Sequence, residues 1–268
     1  MIVLTLVKEI RNDIPVIGTR KLLFMLTPQL EQHGIKLGRD QLFDLLGFHG
    51  LLMRRRKRIA KTTNSHHWLK KYPNLIKELT VTSPEQLWVS DITYVRTLQG
   101  FNYLSLITDA YSRKIMGYAL CETLEAIGPT QALKMAVEQR QRISPFILIH
   151  HSDRGVQYCS GEYVDILEEE NIAISMTQSG NPYENALAER LNGTVKNDFF
   201  PKRVYQNHKE AKKIIMKSIE TYNKKRPHAS LDYCTPDQAH LKDGKLKMRW
   251  KHYPKRHKQK QETMKDNE

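Results

Sequence analysis

Three acidic residues carry the chemistry this chain can do: Asp91, Asp153 and Glu189. Asp91 falls in the middle of an alternating segment, where a charge is costly unless something pairs with it. Asp153 follows an apolar run, in His150-His151-Ser152-Asp153-Arg154-Gly155. Glu189 lies in the first two turns of a helical segment that follows a loop at Ser179 to Tyr183. Converging carboxylates repel one another. Hard divalent cations between them remove that repulsion, and Mg2+ takes a few carboxylates while keeping positions for water and phosphate oxygens. Two such ions ~3.5–4 Å apart activate an attacking oxygen and stabilise a leaving one. Taken singly, each acid has an ordinary alternative: a satisfied strand residue, a turn aspartate, a solvated helix glutamate. The case rests on joint placement. No Ser-His-Asp set, phosphate-binding glycine loop or His-Glu-x-x-His pair competes.

The elements that must bring these acids together are legible in the periodicity. Leu87, Val89, Asp91, Thr93 and Val95 alternate with Trp88, Ser90, Ile92 and Tyr94, which predicts a strand. Gln99-Gly100 and Ser112-Arg113 turn the chain into strands over Phe101 to Thr108 and Lys114 to Leu120. A helix is expected over Glu125 to Arg140, a fourth strand over Phe146 to Ile149, and a helix over Tyr163 to Glu170. A fifth strand follows at Ile172 to Met176, then helices over Asn185 to Phe200 and His208 to Asn223. If the first and fourth strands are neighbours, the two aspartates meet at one end of the sheet. A helix crossing that end brings in Glu189.

Ahead of this region the pattern is helical. Residues 3–12 put Val3, Leu6, Val7 and Ile10 on one face. Leu22, Leu23, Leu26 and Leu30 continue a stripe expected to be interrupted or kinked near Pro28. Residues 39–46 form a short helix expected to end at Gly47. Two helices across a Gly-containing turn suggest a helix-turn-helix, or else a small helical subdomain without DNA contact.

Charge has a pattern too. The 268-residue chain has formal charge +14. Residues 1–90 carry 15 Lys and Arg against 7 Asp and Glu, residues 91–240 carry 18 against 18, and residues 241–268 carry 10 against 4. Basic flanks around a neutral middle suit phosphate contacts on either side of a metal-binding domain. The run Arg54, Arg55, Arg56, Lys57, Arg58 is expected to touch the DNA backbone. Three cysteines, Cys121, Cys159 and Cys234, are odd in number and widely spaced, which supports neither a disulfide framework nor a zinc site. The apolar start at Met1 to Val7 is short and lacks a basic leader, and no run spans a membrane. A cytoplasmic protein follows.

With these residues in place, the chain resembles the second-frame (OrfB-type) transposases of the third family of bacterial insertion sequences, whose core is similar to retroviral integrases. The matching motifs are Trp88-Val89-Ser90-Asp91-Ile92-Thr93-Tyr94, then His151-Ser152-Asp153-Arg154-Gly155-Val156-Gln157-Tyr158, then Gly180-Asn181-Pro182-Tyr183-Glu184-Asn185-Ala186 with Glu189. Asp153 and Glu189 are separated by 35 residues, the spacing that names this type of triad. Tyr222-Asn223-Lys224-Lys225-Arg226-Pro227-His228, Leu231 and Thr235-Pro236 close the core. Glu184 stands where the family usually has Asp, and Arg190-Leu191 where it usually has Ser-Phe.

The resemblance implies an α/β protein with a ribonuclease H-like mixed five-stranded sheet and flanking helices, preceded by a small all-α helix-turn-helix module. The expected division is 1–53 for that module, 54–84 for a basic linker, 85–240 for the integrase-like core and 241–268 for a basic tail. The implied activity is metal-dependent cleavage and strand transfer of DNA, with Asp91, Asp153 and Glu189 holding two Mg2+ ions, Mn2+ being a substitute. Expected partners are element ends and target DNA, further copies of the chain, and an upstream-frame protein joined by frameshifting, with no membrane. The start at Met1 falls inside what looks like the first helix of such a fusion. Alternatives are an inactive DNA-binding or assembly subunit and a purely hydrolytic nuclease. Lys196 is expected near the scissile phosphate, or is a solvated lysine. Tyr183 is a candidate to stack on an unpaired base. Arg226 and His228 are phosphate contacts or local ties, and Asp109 is a support behind the acids or a structural group.

Overall fold

The computed structural model describes residues 2–53, 68–140, 146–178, 185–200 and 204–246. Three helices come first: α1 (Ile2–Asp13), α2 (Thr19–Gln32) and α3 (Arg39–Phe48). The sheet follows as β1 (Leu87–Thr97), β2 (Gly100–Asp109) and β3 (Ile115–Cys121), then α4 (Ile127–Glu138) and β4 (Ile149–Ser152). After a 3-10 turn come α5 (Gly161–Glu169), β5 (Ala173–Met176), α6 (Ala186–Phe199), α7 (His208–Lys225) and α8 (Pro236–His240).

The five strands lie in the order β3-β2-β1-β4-β5. β1, β2 and β3 form an antiparallel meander, while β4 and β5 join parallel to β1. This is the mixed sheet the sequence predicts, with the first and fourth strands adjacent. Trp88, Ile107 and Ala119 face α4 and α5, with Leu133, Tyr163 and Leu167 in the same buried cluster. Val95, Leu104 and Leu106 face the other way, into a cluster with Val195, Phe199, Ile215 and Tyr222 of α6 and α7. α4 approaches the sheet closely because residue 117 has no side chain. A Cβ at Gly117 would lie 1.9 Å from the Ala132 carbonyl oxygen.

Several boundaries differ from the sequence reading. α2 runs through Pro28 without ending. α3 passes Gly47 and stops before Gly50, whose φ of +64° turns the chain. The fourth strand is not the apolar run Phe146 to Ile149. Phe146 and Ile147 are exposed, and β4 is built from Ile149, His150, His151 and Ser152. The histidines are buried because they have partners. Tyr163 Oη lies 2.8 Å from His150 Nε2, and Ser175 Oγ lies 2.8 Å from His151 Nδ1. Burial pushes His150 down to about 3, so it is neutral.

The helical module is docked on the sheet domain. Val7, Leu22, Leu26, Leu42 and Leu46 belong to the same buried cluster as Leu104 and Tyr222. The Val16 amide donates to the Asp198 carbonyl at 3.0 Å, Lys225 pairs with Asp13 at 2.6 Å, and Phe24 stacks on Tyr233 with centroids 4.5 Å apart. Of the segment read as a linker, the described part is packed as well. Leu69 and Tyr72 lie on the α4–α5 cluster, and the Leu75 amide donates to Ser175 Oγ at 2.9 Å. Among the described residues no helix is long and apolar enough to cross a membrane.

Candidate active site

β1 carries Asp91, and β4 ends one residue before Asp153. The two strands run parallel, with Trp88 beside His150 and Val89 beside His151. Carried two residues further, this register sets Asp91 beside Asp153, where β4 stops and β1 continues. Neighbouring strands lie ~4.8 Å apart, so the two aspartates head the same end of the sheet. Asp153 is fixed by the turn after it. The Gly155 amide donates to Asp153 Oδ1 at 3.0 Å, and a Cβ at position 155 would lie 3.1 Å from that oxygen.

α6 supplies the third acid. Asn185, at its start, donates from Nδ2 to the Ser90 carbonyl at 3.2 Å. Asn192 Nδ2 donates to Asp91 Oδ2 at 2.8 Å, and Lys196 Nζ donates to the Tyr94 carbonyl at 2.7 Å. Asn185, Glu189, Asn192 and Lys196 follow one another at steps of four, three and four, so they share one helix face. Three of the four touch β1 at Ser90, Asp91 and Tyr94. Glu189 lies between two of these anchors, on the face turned toward the aspartates.

The electrostatics agree with that placement. The Asp91 carboxyl is pushed up to about 7, first by burial and then by Asp153, with Glu189 adding to the effect. The Asn192 amide and the Ile92 N–H, 3.0 Å from Asp91 Oδ1, pull the other way. Burial lowers Lys196, while Asp91 raises it. Behind the acids, Ser90 Oγ lies 3.2 Å from Tyr158 Oη and 3.3 Å from the Leu106 carbonyl. Burial, then Asp153 and Asp91, hold the Tyr158 hydroxyl far above its ordinary range, so it is a neutral floor to the site.

The donor set suits a hard cation: carboxylates from three elements, with an amide partner on Asp91. Among the described residues no group of three Asp, Glu, His or Cys side chains is already closed to ligand distance. Without a cation between them, converging carboxylates repel one another.

The other expected contacts divide. Arg54, Arg55, Arg56, Lys57, Arg58 and Tyr183 lie outside the described residues. Arg226 is a correction: it is 3% exposed and points inward. Its Nε and Nη2 meet Asp198 Oδ2 at 2.7 and 2.6 Å, and its Nη1 lies 2.8 Å from His228 Nε2. It ties α7 to α6 and has no face for DNA. Asp109 is fully buried, accepting from the Glu85 amide at 2.7 Å and from the Ser112 amide and hydroxyl at 2.7 Å each. It pairs with Trp88 across the ladder, away from Asp91, and is structural. The anchoring roles of Asn185 and Ser90 were not read from the sequence. Each is a polar residue whose partner lies far off in the chain, so no local pattern marks it.

Comparison with known proteins places this geometry. Models of the integrase core domain match residues 81–182 and 170–236. Over 89% of the chain the fold is similar to the simian T-cell lymphotropic virus intasome, covering 77% of that chain, with a TM-score of 0.52 at 17% identity. The fold is therefore that of the ribonuclease H-like integrase cores. Closer relatives narrow it. A 31 kDa protein of insertion element IS600 from Shigella sonnei is 39% identical over 82% of this chain and 79% of its own length. The transposase of insertion element IS629 from Shigella sonnei is 31% identical over 79% of this chain and 70% of its own. The chain belongs to the insertion-sequence transposases, in the OrfB-type branch of the third family. It is an enzyme of the DDE transposase and integrase type.

Proposed function

We propose that Asp91, Asp153 and Glu189 are the catalytic, metal-holding acids of this transposase, and that they take two Mg2+ ions, with Mn2+ as a substitute. The observation that carries the reading is convergence. Acids from β1, from the end of β4 and from α6 meet at one end of the sheet, and Asp91 feels both of the others. When bound, the cations neutralise the three carboxylates and stabilise the attacking and leaving oxygens at phosphorus.

The protein's own groups do the rest. Asn192 holds one oxygen of Asp91 and the Ile92 amide the other, so the carboxylate that would bind a cation is already oriented. Gly155 holds Asp153 in the same way. In the first step water attacks a phosphodiester at the element's end, the bond to the 3′-oxygen breaks, and a 3′-hydroxyl is freed. In the second, that hydroxyl attacks a target phosphodiester and releases the target's own 3′-oxygen. Alignment of the attacking oxygen with the leaving oxygen is the protein's main contribution. Lys196, anchored to β1 beside the acids, is placed for the backbone near the scissile phosphate.

The partners we propose are element ends, target DNA, further copies of the chain on DNA, and an upstream-frame protein that adds end recognition. Arg54 to Arg58 and Tyr183 remain part of the DNA contact in this reading. A strand-transfer assay tests it, with Mg2+ or Mn2+, a pre-cut element end and a target duplex. Joined product from the natural chain and none from Asp153→Asn is the expected result. Nicks without joined strands would leave a hydrolytic nuclease instead, and equal joining by Asp153→Asn would overturn the triad.

A further inference from the structure

The β1–β2 hairpin reaches further than the helix that covers it. On the α4 face of the sheet, Ile92 pairs with Ser105, Tyr94 with Tyr103 and Arg96 with Phe101. Alternation puts these six side chains on one face, and Ile92 packs against the α4–α5 cluster. α4 covers that face only as far as Ser105, where a Cβ on Gly128 would come within 3.2 Å of Ser105 Oγ. Beyond it no described helix covers the sheet, and Tyr103 is half-buried. Tyr94 is 38% exposed and Phe101 56%. Their rings meet edge to face at 6.0 Å, and Tyr94 meets Tyr103 at 5.3 Å.

We infer that this hairpin tip is a stacking platform for unpaired DNA bases, formed by Tyr94, Phe101 and Tyr103 with Arg96 beside them. Large apolar side chains left open in a group, rather than singly, mark a binding surface. Aromatic rings on a bare sheet face with a cation among them suit bases and their phosphates. A protein partner fits less well, because the patch belongs to a chain of charge +14 and carries an exposed arginine of its own. Continuity with the site points the same way. Tyr94 is three residues along β1 from Asp91, or ~10 Å. Its carbonyl is the anchor of Lys196. Asp91 itself, like Leu106 opposite it, belongs to the α6–α7 face, so a strand from the acids reaches the platform over the edge of β1, beyond the end of β4. Bases within a duplex already stack on one another, so the rings take bases that have been opened.

The inference rests on the reading of this chain as a DNA-acting enzyme. It is tested on the full chain in EDTA, so that binding is separated from cleavage. The probes are a labelled single-stranded oligonucleotide and a duplex of the same sequence. Phe101→Ala and Tyr94→Ala are expected to weaken single-strand binding ~10-fold, the scale of losing one stacked base. Duplex binding is expected to stay within twofold, and Phe101→Tyr to restore single-strand binding. Arg96→Ala is expected to reduce the salt dependence, which Phe101→Ala leaves unchanged. Single-strand affinity equal to the natural chain's in both ring variants overturns the platform and leaves the strand-transfer reading standing. So does a change in self-association with no change in DNA binding. A natural chain that bound neither probe would overturn both.

Discussion

Asn192 Nδ2 donates to Asp91 Oδ2 at 2.8 Å, and so joins the helix of one proposed catalytic acid to the strand of another. Because Glu189 lies one turn before Asn192, this contact, with those of Asn185 and Lys196 on either side, sets the distance of α6 from the acids of the sheet.

Removing the donor therefore has two consequences. Asn192→Ala leaves Asp91 without an interaction that favours its charged form, and its carboxyl rises further. Groups that orient a metal ligand typically change metal affinity or activity ~10–100-fold when lost. The expected result is a higher Mg2+ requirement and a pH–rate profile displaced to higher pH. Both are read from joining of a pre-cut element end to a target duplex across a Mg2+ and pH grid.

Asp91 also makes stability depend on pH. Its carboxyl moves from 3.8 to about 7 on folding, so the folded state binds the proton more tightly. Between these values the folded chain carries more protons than the unfolded one, and stability falls as pH rises. A shift of this size is worth a few kcal/mol, all of it lost above pH ~7. In EDTA at pH 8, Asp91→Asn is expected to melt higher than the natural chain, and the difference to close below pH ~4. Thermal melts at the two pH values check this. A variant that melts lower at pH 8 contradicts the buried, repelled carboxylate.

Arg226 is predicted to act on stability and not on DNA. Arg226→Met leaves the half-buried Asp198 without its arginine, which costs less than the ~3–5 kcal/mol of breaking a fully buried pair but well above the cost of an exposed one. Urea unfolding of Arg226→Met, Asp198→Asn and the double variant is expected to show strong coupling between the two positions. The salt dependence of DNA binding is expected to be unchanged in whatever folded protein remains.

Gly117 is the point where α4 touches the sheet. Gly117→Ala places a methyl 1.9 Å from the Ala132 carbonyl oxygen, backbone that cannot swing aside. Overpacking typically costs about 1–3 kcal/mol, and a clash with backbone falls at the upper end. A lower urea midpoint is expected, with reduced near-ultraviolet signal from Trp88 against the α4–α5 cluster.

What the sequence shows well is what depends on local period and motif. The alternation from Leu87 to Val95 gives β1, and the acids stand out because charge is unusual in and beside such strands. What it hides depends on distant partners. His150 and His151 look like loop residues after an apolar strand, yet Tyr163 and Ser175 bury them and make them the strand. Arg226 resembles a phosphate contact until Asp198 is seen 28 positions away in the chain and 2.6 Å away in space. The helical module reads as a separate unit because Val7, Leu22 and Leu46 would serve equally well in a core of their own. Only the fold shows that they share one with Leu104 and Tyr222.

The most direct measurement is the structure of crystals soaked in Mn2+, with the ion located by its anomalous scattering. The account predicts density between Asp91, Asp153 and Glu189, with the three carboxylates turned inward, and two positions ~3.5–4 Å apart when DNA is bound. Mn2+ found elsewhere, with none between the three carboxylates at saturating concentration, would contradict it.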